Sequence, residues 1–143
     1  LFLLTKVHLD NRVIVGSRSY IEYGQSENVI FITVHNYGIN NIWYPCDAVT
    51  NWEQKDGNLP DLSVKAILQN PLILEEILIG TELSAWCTTN FSDASPTWTQ
   101  AYNDMSNVSI LDLDLRDDNL VFVATRGCDI FSGQFTPDSL SID

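Results

Sequence analysis

The sequence predicts an all-β chain built from about three similar four-stranded antiparallel units. Three observations predict it. Short runs rich in Val, Ile, Leu and aromatic residues recur between clusters of Gly, Pro, Asn and Asp, the pattern of strands between turns. Large residues return at a nearly fixed interval: Trp43 to Trp86 is 43 residues, Trp86 to Phe131 is 45, Trp52 to Trp98 is 46 and Leu78 to Phe122 is 44. No segment sustains a helical apolar period. Leu72–Leu78 (LILEEIL) comes nearest, and its flanks and its place in the repeat make it a turn entering a strand.

The elements follow in order. Residues 1–18 read as the remnant of a preceding unit, with a strand from Arg12 to Gly16. The first full unit spans about residues 19–62. It opens with Ser19–Tyr23, turns at Gly24–Asn28, and continues through the dense β-branched run Val29–Val34, then Ile42–Tyr44 and Trp52–Gln54. Asp56-Gly-Asn-Leu-Pro60 closes it as a loop. The second unit, about 63–106, carries strands at Val64–Leu68, Ile77–Thr81, Leu83–Thr88 and Trp98–Tyr102. The third, about 107–135, alternates through Asn107–Leu115, turns at Asp117-Asp-Asn119, and resumes at Leu120–Thr125 and Asp129–Phe135. The polar tail Thr136–Asp143 is expected to fray.

A period near 45 with four short strands per unit is that of a β-propeller blade. A blade cannot bury both faces alone, so large apolar residues recur on every strand where neighbours stack. The fold class is thus all-β, a partial propeller of about three blades. A ring needs at least about four blades, so the expectation is a piece of a longer polypeptide that supplies the remaining blades, a ring completed by a second copy of the chain, or an open wedge with exposed edges.

Composition excludes some functions. Of 143 residues, 45% are hydrophobic, which fits one folded domain. Nineteen acidic against 7 basic residues give a net charge of −12, a surface that repels nucleic-acid backbones and anionic membranes. No apolar run is long enough for a membrane helix, and Leu1–Leu4 is not a complete signal peptide. Cys46, Cys87 and Cys128 stand 41 residues apart, outside any CxxC and far in sequence from His8 and His35. That spacing reads as structural thiols rather than a zinc site.

Two turns carry a finer pattern. Pro45-Cys-Asp-Ala-Val-Thr-Asn-Trp52 and Phe91-Ser-Asp-Ala-Ser-Pro-Thr-Trp98 place Asp47 with Trp52, and Asp93 with Thr97 and Trp98, at the offsets of an S-x-D-x-G-x-T-W hairpin. In such a turn a short carboxylate accepts bonds from nearby amides and the Trp packs beneath. With His35-Asn-Tyr-Gly38, Asn41-Ile-Trp43, Gly57–Leu62, Ile79–Glu82 and Ala124–Gly133, these turns make residues 21–136 resemble the C-terminal blades of bacterial Asp-box (BNR-repeat) propellers. Those are relatives of sortilin-like and xyloglucanase-type propellers, found in large secreted Bacteroidetes proteins. The family usually has glycine where this chain has Ala48, Val49 and Ser84, which implies strain at those turns.

The resemblance implies an extracellular or cell-surface module that binds polysaccharide or a surface protein without catalysis. The alternatives are a fragment of a glycoside hydrolase acting on β-glucan, and a structural remnant with no ligand. Hydrolysis requires two carboxylates across a cleft. The leading candidates are Asp112 and Asp114, which share one face of a strand; Glu75, Glu76, Glu82, Asp117 and Asp118 follow. Tyr44 and Tyr102 are candidates for stacking on sugar rings, whereas the repeat-spaced tryptophans read as core. Asp117, Asp118 and Asn119 are a loose calcium candidate that lacks the alternation and glycine of an EF-hand loop. No other cofactor is expected.

Overall fold

A computed structural model describes residues 18–26, 29–47, 51–101, 107–127, 129–137 and 140–142. The strand expected at Arg12–Gly16, Tyr102 and Cys128 lie outside the described residues, as do the side chains of Cys46 and Asp47.

The described residues form twelve strands and no helix. The first sheet is β1 (Arg18–Tyr23), β2 (Ile30–Val34), β3 (Ile42–Asp47) and β4 (Asn51–Gln54). The second is β5 (Val64–Gln69), β6 (Ile77–Thr81), β7 (Ala85–Thr88) and β8 (Thr99–Ala101). The third is β9 (Ile110–Leu115), β10 (Leu120–Thr125), β11 (Phe131–Phe135) and β12 (Leu140–Ile142). Each sheet is an antiparallel meander in which chain neighbours are spatial neighbours. Arg18, assigned above to the remnant, opens β1. The tail expected to fray instead supplies β12, with Leu140 opposite Phe135 and Ile142 opposite Gly133.

The sheets are copies down to their irregularities. Each first strand carries one bulge, at Ser19 between Arg18 and Tyr20, at Lys65 between Val64 and Ala66, and at Leu111 between Ile110 and Asp112. Successive bulges are 46 residues apart. A bulge bends and twists its strand, and here it does so at one height in every unit. The register therefore equates Tyr20 with Ala66 and Asp112, Ile21 with Ile67 and Leu113, and Glu22 with Leu68 and Asp114. In the third strands, Trp43 opposite Ile32 corresponds to Trp86 opposite Ile79 and Phe131 opposite Val123. Both indoles do one job: each N–H donates to the carbonyl three residues earlier, Asn40 or Leu83, at 3.0 Å.

Alternation along each strand gives every sheet a front, toward the following sheet, and a back. Phe31 and Ile42 on the front of the first sheet pack on Val64, Ile67, Ile77, Ile79 and Trp98 on the back of the second. Ala66, Leu68, Leu78 and Ala85 on the front of the second pack on Ile110, Leu113, Val121 and Val123 of the third. Ile67, Ile77, Ile79 and Ile110 are completely buried, each such side chain contributing about 1.5–3 kcal/mol. Gly80 marks the closest approach: a methyl group there would lie 2.5 Å from the Ile110 Cγ2. The first strands of consecutive sheets run beside one another. Ser84, where the resembling family has glycine, holds φ at 72° and donates its hydroxyl to the Ala101 carbonyl.

Candidate functional site

Side chains from the first strands of the first and third sheets, β1 and β9 (with β5, the inner strands), meet one another. Tyr20 reaches past the second sheet, and its hydroxyl donates to the Leu113 carbonyl at 3.5 Å. Glu22 and Asp112 lie against the same hydroxyl. Burial first, then these two carboxylates, push the phenol above its usual range. Glu22 is half-buried, and that burial raises its carboxyl above the ordinary value; the Tyr20 hydroxyl opposes the shift, while Asp114 and Asp112 add to it. Asp112 and Asp114 are exposed on β9, each accepting the amide of the residue that follows it. The structure thus gathers both leading carboxylate candidates with Glu22 and Tyr20. Glu22 was not legible as a partner, because its equivalence to Asp114 rests on the bulge register.

A second feature lies between the first two sheets. A crevice of about 280 Å3 is lined by Gln25, Tyr44, Gln69, Glu75, Phe91 and Ser92, among others. Tyr44 and Phe91 meet edge to face at 5.5 Å, and Phe31 supports both rings, at 5.7 and 5.5 Å. Polar groups sit around the aromatics. The Gln69 carbonyl oxygen accepts the Gln25 amide at 2.8 Å, and Glu75 accepts the Ser92 amide at 2.8 Å through one carboxylate oxygen. An apolar floor with a few fixed polar groups is the usual construction of a small-molecule site. Tyr44, a stacking candidate, and Glu75, a carboxylate candidate, are the sequence candidates that line it.

Other candidate residues are held in structural bonds. Glu76 is buried and accepts the Asn70 side-chain amide at 2.5 Å. Burial alone would raise Glu82, but the Tyr37 hydroxyl, the Ser63 amide, Lys65 and His35 hold it below the usual range. Asp118 is clasped by Arg116 through two bonds of 2.9 and 2.6 Å, which lower its pKa to about 2. Asn119 takes the positive-φ position of that turn, at 65°. A cation at Asp117, Asp118 and Asn119 would have to displace the guanidinium. Among the described residues no group of three or more His, Cys, Asp or Glu is arranged to hold a metal ion.

The turn from Phe91 to Trp98 is organised partly by a residue outside the motif. Asn90 accepts the Thr88 hydroxyl at 2.8 Å and the Thr97 amide at 2.9 Å, and donates to the Asp93 carboxylate at 2.8 Å. Trp98 is buried, and its indole donates to the Lys55 carbonyl at 2.9 Å. The Asn58 side chain accepts the Trp98 amide at 2.5 Å and donates to the Trp98 carbonyl at 3.1 Å. The buried Lys55 ammonium donates to the Asp93 carbonyl at 3.0 Å, pairs with Glu53 at 3.2 Å and lies over the Phe91 ring. The connection between the first two sheets is thus clamped onto the turn that borders the crevice. Trp52 is likewise buried, packed with Ile32, Val34 and Trp43 on the back of the first sheet.

No protein-family model matches this chain, and no curated protein matches it. Among solved structures it is similar to the crystal structure of an ancestral GH74 enzyme, with 17% sequence identity and a TM-score of 0.67. The match covers 89% of this chain and 18% of that one. At this identity the likeness is one of fold, and the fold is a partial β-propeller of three four-stranded antiparallel blades. No helix of the described residues is long and apolar enough to cross a membrane.

Proposed function

We propose that this chain is a glycan-binding propeller module of a secreted or cell-surface protein, taking a β-glucan-type polysaccharide in the crevice beside Tyr44. The crevice carries the reading. Its aromatic wall suits the C–H face of a pyranose, and Glu75, Gln25 and Ser92 suit the ring hydroxyls. The likeness in fold to a GH74 enzyme agrees with a carbohydrate ligand. Affinity electrophoresis in gels containing xyloglucan or mixed-linkage β-glucan tests it. The native chain is expected to be retarded, and Tyr44→Ala to weaken binding at least about tenfold, a loss of about 1.4 kcal/mol. Equal mobility with and without every polysaccharide refutes it.

One observation favours a second reading, a fragment of a β-glucan hydrolase. Burial raises the Glu22 carboxyl above its ordinary value, and it stands beside the exposed carboxylates Asp112 and Asp114, which brings a half-buried acid and two exposed ones into one cluster. Reducing-sugar release abolished by Glu22→Gln, with retardation in the gel unchanged, would favour that reading.

A further inference from the structure

The crevice beside Tyr44 has few hydrogen-bond donors left to offer. Its Gln69 side chain is used at both ends: the carbonyl oxygen accepts the Gln25 amide at 2.8 Å, and the amide group donates to the Leu74 carbonyl at 2.9 Å. The Ser92 amide is used by Glu75, and it reaches only one of the two carboxylate oxygens. An ionised carboxylate accepts through about four lone-pair sites and donates nothing. The second oxygen of Glu75 therefore remains open to a donor. Glu75 alone carries charge among the described residues that line the crevice, and no described lysine or arginine pairs with it. The Lys55 ammonium over the Phe91 ring is buried, bonded to the Asp93 carbonyl and paired with Glu53, so it has nothing to give an anion.

We propose that this crevice selects an amino sugar, and that within the β-glucan-type class its preferred ligand is a β-linked glucosamine chain with an ammonium on Glu75. The inference rests on the glycan reading above and names the sugar that the same site prefers. A protonated amine brings three donors and no acceptor, which matches a group that only accepts. A hydroxyl at the same carbon brings one donor, and its bond to the carboxylate lacks the second charge. A uronate would bring a second carboxylate beside Glu75 with no free cation to pair it. The aromatic wall of Tyr44 works in the same direction, because a ring face attracts a cation. The net charge of −12 raises the local concentration of cationic ligands around the whole chain.

Isothermal titration calorimetry on the full chain tests it, in mildly acidic buffer that keeps the sugar amines protonated. The probes are a glucosamine hexamer, its N-acetylated form and cellohexaose. The wild type is expected to bind the glucosamine hexamer at least about fivefold tighter than cellohexaose, and the N-acetylated hexamer no tighter than cellohexaose. Glu75→Gln is expected to bring the glucosamine and cellohexaose affinities together. Asp129→Asn removes the same charge from an exposed position outside the crevice and is expected to leave their ratio unchanged. Equal wild-type affinities for the two hexamers, a preference that survives Glu75→Gln, or an equal loss in Asp129→Asn overturns the amino-sugar inference and leaves the glycan reading standing. No binding of any hexamer overturns both. Near-ultraviolet dichroism verifies folding; if Glu75→Gln is unfolded, Tyr44→Ala decides, since glucosamine binding indifferent to it is diffuse attraction to the acidic surface and overturns the inference.

Discussion

Replacing Gly80 with alanine tests the contact between the second and third blades at its tightest point. Gly80 does not occupy the left-handed region, so alanine fits the backbone. The added methyl is the difficulty, because it would stand 2.5 Å from the Ile110 Cγ2 and 3.0 Å from its Cβ, against about 3.5–4.0 Å for carbon atoms at optimal separation. Ile110 cannot give way easily. It is completely buried, and Leu113 lies just beyond, 3.6 Å from the same methyl. Overpacking of this kind costs about 1–3 kcal/mol. Alanine recovers about 0.5–1 kcal/mol of the entropy that glycine loses in a strand. The net expectation is a loss of about 1–2 kcal/mol, read as a lower urea midpoint with an unchanged slope. Ile110→Ala alone should cost about 2–5 kcal/mol. The double variant should lose less than the sum, by about 1 kcal/mol, because the new methyl then has room. A neutral or stabilising Gly80→Ala, or strict additivity with Ile110→Ala, would refute the stacking geometry.

Further expectations follow from individual groups. Asn58→Ala strips the Trp98 amide and carbonyl of their side-chain partner and should cost about 1–2 kcal/mol; chemical denaturation followed by tryptophan fluorescence measures it, and no loss would contradict the clamp. Glu22 has a folded pKa above its unfolded value, so ionising it costs more in the folded chain, and stability falls as pH rises through the unfolded and then the folded pKa. Glu22→Gln should therefore gain on the wild type in urea midpoint as pH rises above about 4; a flat or opposite trend would remove the inner-strand cluster. Millimolar calcium should leave the Tm unchanged, because Arg116 holds Asp118; a rise abolished by Asp118→Asn would establish the calcium site instead.

The repeat was legible because its tryptophans have positional work. Trp43 and Trp86 each cap a turn by the same bond, so their spacing survives in the sequence. Positive φ at Ser84 was implied only by the resemblance, in which glycine usually holds that position. The inner-strand bulges left no trace, because an extra Ser19, Lys65 or Leu111 looks like any other strand residue. Without them the equivalence of Glu22 with Asp114 could not be drawn. The crevice was hidden for another reason: its lining comes from segments far apart in the chain, so Tyr44 and Glu75 stood out singly, for different chemistries, with nothing in the sequence to bring them together. Leu140–Ile142 is too short to signal a strand, and pairing with β11 secures it.

Mapping the ligand on the chain itself decides between the two sites. Amide chemical shifts would be followed by two-dimensional NMR while a β-glucan oligosaccharide is titrated in. Binding in the crevice predicts shifts at Gln25, Ser26, Gln69, Glu75 and Ser92, with Asp112 and Asp114 unmoved. Shifts confined to Tyr20, Glu22, Asp112 and Asp114 would contradict the crevice and move the carbohydrate site to the inner strands.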